Sequence, residues 1–176
     1  SKRAQSSLSC GGANWERLVL WYLNLVSWNT NIFFLKANKN IVPKVITDST
    51  TVIIQNNRTN TESDIFGFSI PFKYLDTKKD IDSKVISNLI EKNTGACNLS
   101  IIQCKTNWND NSQIPMLWDM IYKANFSDNQ FINIGTYGYN PRSFKKFNYS
   151  FVTVPTGKKV IKANSLATLR VKNLSG

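Results

Sequence analysis

The sequence predicts an α/β (α+β) fold, a central mixed β-sheet flanked by helices, in one domain spanning residues 1–176. Three observations lead there. Strand-length runs rich in Ile, Val and Phe alternate with longer segments of helical period. A length of 176 residues suits one hydrophobic core. No internal repeat, low-complexity tract or long linker divides the chain.

Residues 1–12 (SKRAQSSLSCGG) are polar and glycine-punctuated and read as a flexible lead-in. Residues 13–28 (ANWERLVLWYLNLVSW) are largely apolar and free of Gly and Pro, which predicts the first helix. At 100° per residue Asn14, Arg17 and Asn24 share one stripe, and Glu16 falls opposite, among Leu20, Leu23 and Ser27. A carboxylate on such a face is costly unless it finds a cation, a metal or several donors. Short β-type runs follow at 31–35, 42–46 and 51–55. A polar stretch, 56–63, separates them from a strand opening at Asp64 (DIFGFSI). Residues 80–92 carry Ile81, Val85, Ile86, Leu89 and Ile90 at helical spacing, with Asp80 or Asp82 as cap and Thr94-Gly95 as stop. Residues 98–105 (NLSIIQCK) predict a strand, and 113–124 a helix with Pro115 in its first turn. Two further strands are expected at 130–136 and 148–154, ahead of a basic tail.

The chain holds 22 Lys and Arg against 11 Asp and Glu, a net charge of +11, and no His at all. Without His there is no Ser-His-Asp or Cys-His nucleophile, no His-ligated zinc or iron and no histidine general base. Three cysteines, Cys10, Cys97 and Cys104, make neither a Cys₄ zinc site nor a complete disulfide framework, so a reducing cytoplasm is expected. No apolar run approaches the roughly 18–20 residues of a membrane span, and no signal-peptide pattern opens the chain. The first residue is Ser1 rather than Met, as in a processed or internally started piece. The positive charge points to an anionic partner, with nucleic acid first, or to a merely basic surface.

With few acids, each one can be weighed. Most fall in turns, at helix caps or in i,i+4 pairs, such as Asp119 with Lys123. Glu16, Glu62 and Asp64 are the carboxylates in unusual settings. On the strand 98–105, a period of two puts Gln103 and Lys105 on one face and Ile102 and Cys104 on the other. If the strand at Asp64 is its neighbour, Asp64, Gln103 and Lys105 meet at one point, with Glu16 arriving from the first helix. Oxygen donors of that kind suit a hard divalent cation. The bland readings are a structural Glu16–cation pair, a solvated Lys105 at a strand end and a Gln103 that satisfies backbone.

At these residues the sequence resembles the PD-(D/E)XK nuclease superfamily, and within it the type II restriction endonucleases. The resemblance lies in Glu16 (GGANWE), Asp64 (TESDIFGF) and Gln103-Cys104-Lys105 (SIIQCKTNW), across roughly residues 11–125. It implies a mixed sheet with helices on both sides and Mg²⁺-dependent hydrolysis of phosphodiesters in double-stranded DNA. Asp64, Gln103 and the main-chain carbonyl of Cys104 would then be metal ligands. Lys105 would be the catalytic lysine, and Glu16 the helical acid supporting the metal, directly or through water. Ser63 stands where the family carries Pro, and Gln103 where it carries an acid. A homodimer is expected, since cutting both strands of a palindrome needs two centres related by a twofold axis. Arg142, Lys145, Lys146, Lys158 and Lys159, interleaved with aromatics or in the tail, are the candidate DNA contacts. Two other classes stay open: a basic nucleic-acid-binding domain without catalysis, and an extracellular interaction domain with sequons at Asn57, Asn98, Asn125, Asn148 and Asn173.

Overall fold

The computed structural model describes residues 5–38, 40–59, 63–75, 82–106, 121, 123, 131–154, 162–164, 168 and 169. It is a mixed α/β structure with a four-stranded main sheet and a small three-stranded one. Helix α1 (Gln5–Val26) leads into β1 (Ile32–Lys36). Then come α2 (Lys44–Thr50), the hairpin of β2 (Val52–Ile54) and β3 (Asn57–Thr59), and β4 (Ile65–Ser69). Helix α3 (Ser83–Lys92), β5 (Asn98–Lys105), β6 (Ile132–Ile134) and β7 (Lys146–Thr153) complete the order.

The main sheet runs β1-β4-β5-β7. β1, β4 and β5 are antiparallel in sequence, with Lys36 opposite Ile65 and Ile65 opposite Ile102. β7 lies parallel to β5, from Asn98↔Lys146 to Lys105↔Thr153. A parallel partner requires a crossover connection, and residues 106–145 supply it. Within it, Ile121 and Lys123 are helical; the rest of the helix expected at 113–124 lies outside the described residues.

Alternation along the strands divides the core between the two faces. On one face Val19 of α1 packs on Ile65, Ile102 and Cys104, with Trp15, Leu20, Leu23, Phe34 and Val152 around them. On the other, Phe66, Phe68, Leu99 and Ile101 pack with Val45, Ile46 and Ile90 of the remaining helices and with Val52 and Ile134 of the small sheet β3-β2-β6. Beside α1 the lower half of the first face stays open as a polar groove floored by Ser69, Ser100 and Asn148.

Three local expectations are corrected. Residues 5–12 are not a lead-in, because α1 begins at Gln5 and runs through Gly11 and Gly12. Residues 42–46 are not a strand: Pro43 (φ −50°, ψ 136°) is the N-cap of α2, whose buried positions Val45, Ile46, Ser49 and Thr50 follow a helical period. Its Ser and Thr hydroxyls bond back to carbonyls four residues earlier, Ser49 to Val45 at 2.6 Å and Thr50 to Ile46 at 2.9 Å, so those polar groups are satisfied inside the core. The polar stretch 56–63 holds a strand, β3, folded back on β2 through Gln55 and Asn56, both at positive φ (48° and 70°).

Candidate active site at the end of the central sheet

The site is built where the ladder between β4 and β5 stops. Regular pairing ends at Ile65↔Ile102. Immediately before, the Asp64 N–H donates to the Ile102 carbonyl at 3.3 Å, and the Asp64 carbonyl accepts from the Ala37 N–H at 2.9 Å. The Asp64 backbone is thereby pinned between β1 and β5. Beyond the ladder, the Cys104 N–H has no strand carbonyl opposite it, and the Asp64 carboxylate takes that place, with Oδ2 accepting from Cys104 N at 2.7 Å. A charge-assisted bond of this length fixes the carboxylate on β5 between Gln103 and Lys105.

Gln103 is 3% exposed, while Asp64 and Lys105 are half-buried at the rim. Ile102 and Cys104 face α1, so alternation directs Gln103 and Lys105 to the opposite face. Glu16, on α1, lies on the face of the sheet opposite to the one that alternation gives Gln103 and Lys105. It pairs at 3.4 Å with Lys36, the last residue of β1 and the partner of Ile65 in register. Two of the expectations for Glu16 meet here: it lies on the packed side of α1, near Leu20 and Leu23, and it has a cation beside it.

The Cys104 thiol reports the charges around it. Burial raises its pKa to about 12; the negative charges of Asp64 and Glu16 push the same way, and Lys105 opposes them. Three of the expected site residues thus act on one sulfur atom. The thiol itself stays protonated and unreactive. Cys97 is also free and buried, and burial alone raises it to about 11.

The described residues expected to touch DNA, Arg142, Lys145 and Lys146, do not gather here. Lys146 begins β7 opposite Asn98, whereas Lys105 lies opposite Thr153. Seven residues of strand separate the two ends, roughly 23 Å at ~3.3 Å per residue. Arg142 and Lys145 precede Lys146 at that same far end, exposed on and beside a short 3₁₀ turn. Lys158 and Lys159 lie outside the described residues.

A cation–aromatic cluster escaped the sequence reading. The Arg58 guanidinium donates to the Tyr137 hydroxyl at 3.2 Å, and the Lys44 ammonium sits 4.5 Å from the ring centroid. The bond from Arg58 and the charges of Arg58 and Lys44 lower the Tyr137 pKa. Tyr137 holds a positive φ of 53° beside Gly138 at 83°, in the tight turn closed by the Thr136–Tyr139 bridge. Three segments of the chain meet at this ring, α2, β3 and the turn at 136–139, and no local pattern announces that.

Among the described residues no three His, Cys, Asp or Glu side chains cluster as a metal site, and no helix is long and apolar enough to cross a membrane. The candidate donors are two carboxylates, one carboxamide and a main-chain carbonyl. No protein-family model matches the chain, and no curated protein matches it closely enough to count as a relative.

Proposed function

We propose that the chain is a Mg²⁺-dependent endonuclease that hydrolyses phosphodiester bonds of double-stranded DNA in a sequence-specific, restriction-type manner. The observation that carries the proposal is the Asp64 carboxylate bonded to the Cys104 N–H at the tip of β5, between Gln103 and Lys105. A mixed sheet with α1 on one face and α2 and α3 on the other is consistent with the fold class that the resemblance implies.

The donor set suits a hard cation: the Asp64 carboxylate, the Gln103 carboxamide and the Cys104 carbonyl offer oxygen, and the nearby thiol, held protonated, does not compete. A bound Mg²⁺ would polarise the scissile phosphate and lower the pKa of the attacking water. Asp64 supplies the negative charge that holds such an ion at the sheet end. Lys105 supplies a positive charge beside the phosphate, where it offsets the charge that develops on its oxygens and orients the nucleophile. Glu16, paired with Lys36, would add a second carboxylate from the α1 face of the sheet. A neutral Gln103 in place of an acid removes one negative charge, which makes Glu16 the natural compensation. A net charge of +11 draws the duplex to the surface through counterion release.

The test is incubation of supercoiled plasmid with the protein in Mg²⁺ or in EDTA. Discrete fragments are expected with Mg²⁺ alone, and none from Asp64→Asn or Lys105→Ala. Undiminished cutting by both variants would end the assignment. Salt-sensitive binding without any product would replace it by a non-catalytic binding domain.

A further inference from the structure

The half of the main sheet that α1 leaves open is polar by register. Counting by twos from Ile65, Ile102 and Val152, which pack under α1, brings Ser69, Ser100 and Lys146 to the same face. They belong to two rows across the sheet, Phe34–Gly67–Ser100–Asn148 and Ile32–Ser69–Asn98–Lys146. At this level the other face carries Phe68, Leu99 and Phe147, packed in the main core. The same strands are thus apolar where they meet helices and polar where they border the groove. Along the floor the side chains are short, and the longer Phe34 and Lys146 stand on the two outer strands, which leaves a groove of about 310 Å³. A Cβ at Gly67 would come within 2.7 Å of the Phe34 ring, so this ring leans over β4 and makes the apolar end of the groove. Asn98 supplies a separate observation. Its Nδ2 donates to Ser69 Oγ at 2.8 Å, while its Oδ1, shielded from solvent, has no hydrogen-bond partner among the described residues. An acceptor in that position is costly until a donor reaches it.

We propose that this groove binds a single nucleotide unit, with its phosphate at Lys146, its sugar over Ser100 and Asn98, and its base beside Phe34. Charge selects the class. Lys146 lines the groove and, among the described residues, no Asp or Glu does. Arg142 and Lys145, just before Lys146 in the chain, add positive charge at this end of the sheet. A sugar hydroxyl gives Asn98 Oδ1 the donor it lacks, and an aromatic side chain suits the flat face of a base. Size agrees as well. The volume lies at the low end of small-molecule pockets, roughly 300–1,000 Å³, and three strand spacings of ~4.8 Å separate β1 from β7. One nucleotide fills that width, and a duplex does not enter it. The groove is distinct from the candidate active site: it lies on the opposite face from Gln103 and Lys105, and Ser100 stands five residues before Lys105, roughly 17 Å at ~3.3 Å per residue. The proposal therefore stands whether or not the chain cuts DNA.

The experiment is isothermal titration calorimetry of the full chain with adenosine 5′-monophosphate in EDTA, so that no divalent cation takes part. Adenosine, inorganic phosphate and a 5′-phosphorylated dinucleotide are the comparison ligands. The monophosphate is expected to bind at least about tenfold more tightly than adenosine or phosphate alone. Lys146→Ala should weaken it about tenfold, and Ser100→Leu, which fills the floor, should abolish binding. Circular dichroism checks folding, and Lys146 is exposed, so its variant carries the test even if Ser100→Leu does not fold. The dinucleotide separates two sources of the same unit: binding as tight as the monophosphate identifies a strand end, and weaker binding a free nucleotide. Asp64→Asn should leave this binding unchanged while it ends cleavage, so the groove and the nuclease reading fail separately. Absence of binding at about 5 mM monophosphate overturns the proposal. So does phosphate that binds as well as the nucleotide, which would make the groove an anion-attracting surface only, and so does binding untouched by both groove variants or lost in Asp64→Asn.

Discussion

Asp64 combines two tasks that a single substitution separates. As an acceptor it satisfies the Cys104 N–H; as an anion it supplies charge to the sheet end. Asparagine keeps an acceptor oxygen and loses the charge. Asp64→Asn is therefore expected to stay within about 1–2 kcal/mol of wild-type stability while Mg²⁺-dependent cleavage falls by ~100-fold or more. Urea denaturation and plasmid cutting measure the two effects, and a variant that loses both together would make the residue merely structural. The buried thiols give a second expectation. Cys97 and Cys104 are raised from an ordinary value of 9.0 to about 11 and about 12. Above pH 9 the unfolded chain releases thiol protons that the folded chain retains, so rising pH favours unfolding. Their contribution is whole below pH 9 and is lost as pH climbs through 11 and 12. The urea midpoint should fall between pH 9 and 11, and less steeply in Cys97→Ala/Cys104→Ala; equal slopes would refute the assignment.

At the scale of elements, Gly67 shows how closely the main sheet is filled. A Cβ there would lie 2.7 Å from the ring of Phe34 on the neighbouring strand. Gly67→Ala is expected to destabilise by about 1–3 kcal/mol as an overpacked site. Losing the bond that the Val85 N–H donates to Asp82 Oδ1 at 2.7 Å should cost α3 about 1 kcal/mol in Asp82→Ala. The cap of α3 was legible as one of two candidates, Asp80 or Asp82, and the chain uses Asp82. β5 was legible from end to end, since Leu99, Ile101, Ile102 and Cys104 make a strand-length apolar segment after the Thr94-Gly95 stop. Residues 42–46 were not, because two β-branched residues after a proline look alike in a strand and in the first turn of a buried helix. β3 was missed for the opposite reason: Asn57, Arg58 and Thr59 are all exposed, so no apolar alternation marks them.

Across the whole molecule, the candidate site was legible in its parts and not in its layout. Residue types named Asp64, Gln103 and Lys105, and strand adjacency sets the Asp64 carboxylate on the backbone of β5 between the other two. That Glu16 pairs with Lys36 on the α1 face, opposite to Gln103 and Lys105, depends on which face α1 covers, and no local pattern encodes that. The basic residues at 142–146 looked like part of the same surface because they share its charge, yet the parallel register carries them to the far end of β7. Electrostatics acts at this scale too. Duplex binding that engages six or more phosphates should weaken by about 10³-fold or more between 50 and 200 mM salt, readable by fluorescence anisotropy. The connectivity also carries a kinetic consequence. β5 is sandwiched between one partner that precedes it and another that follows it by nearly fifty residues. A central strand that waits for both neighbours makes contact order high and refolding slow, on the order of milliseconds to seconds. During synthesis, a ribosome-bound chain can join β4 to β5 early, but one edge of β5 stays open until β7 has emerged.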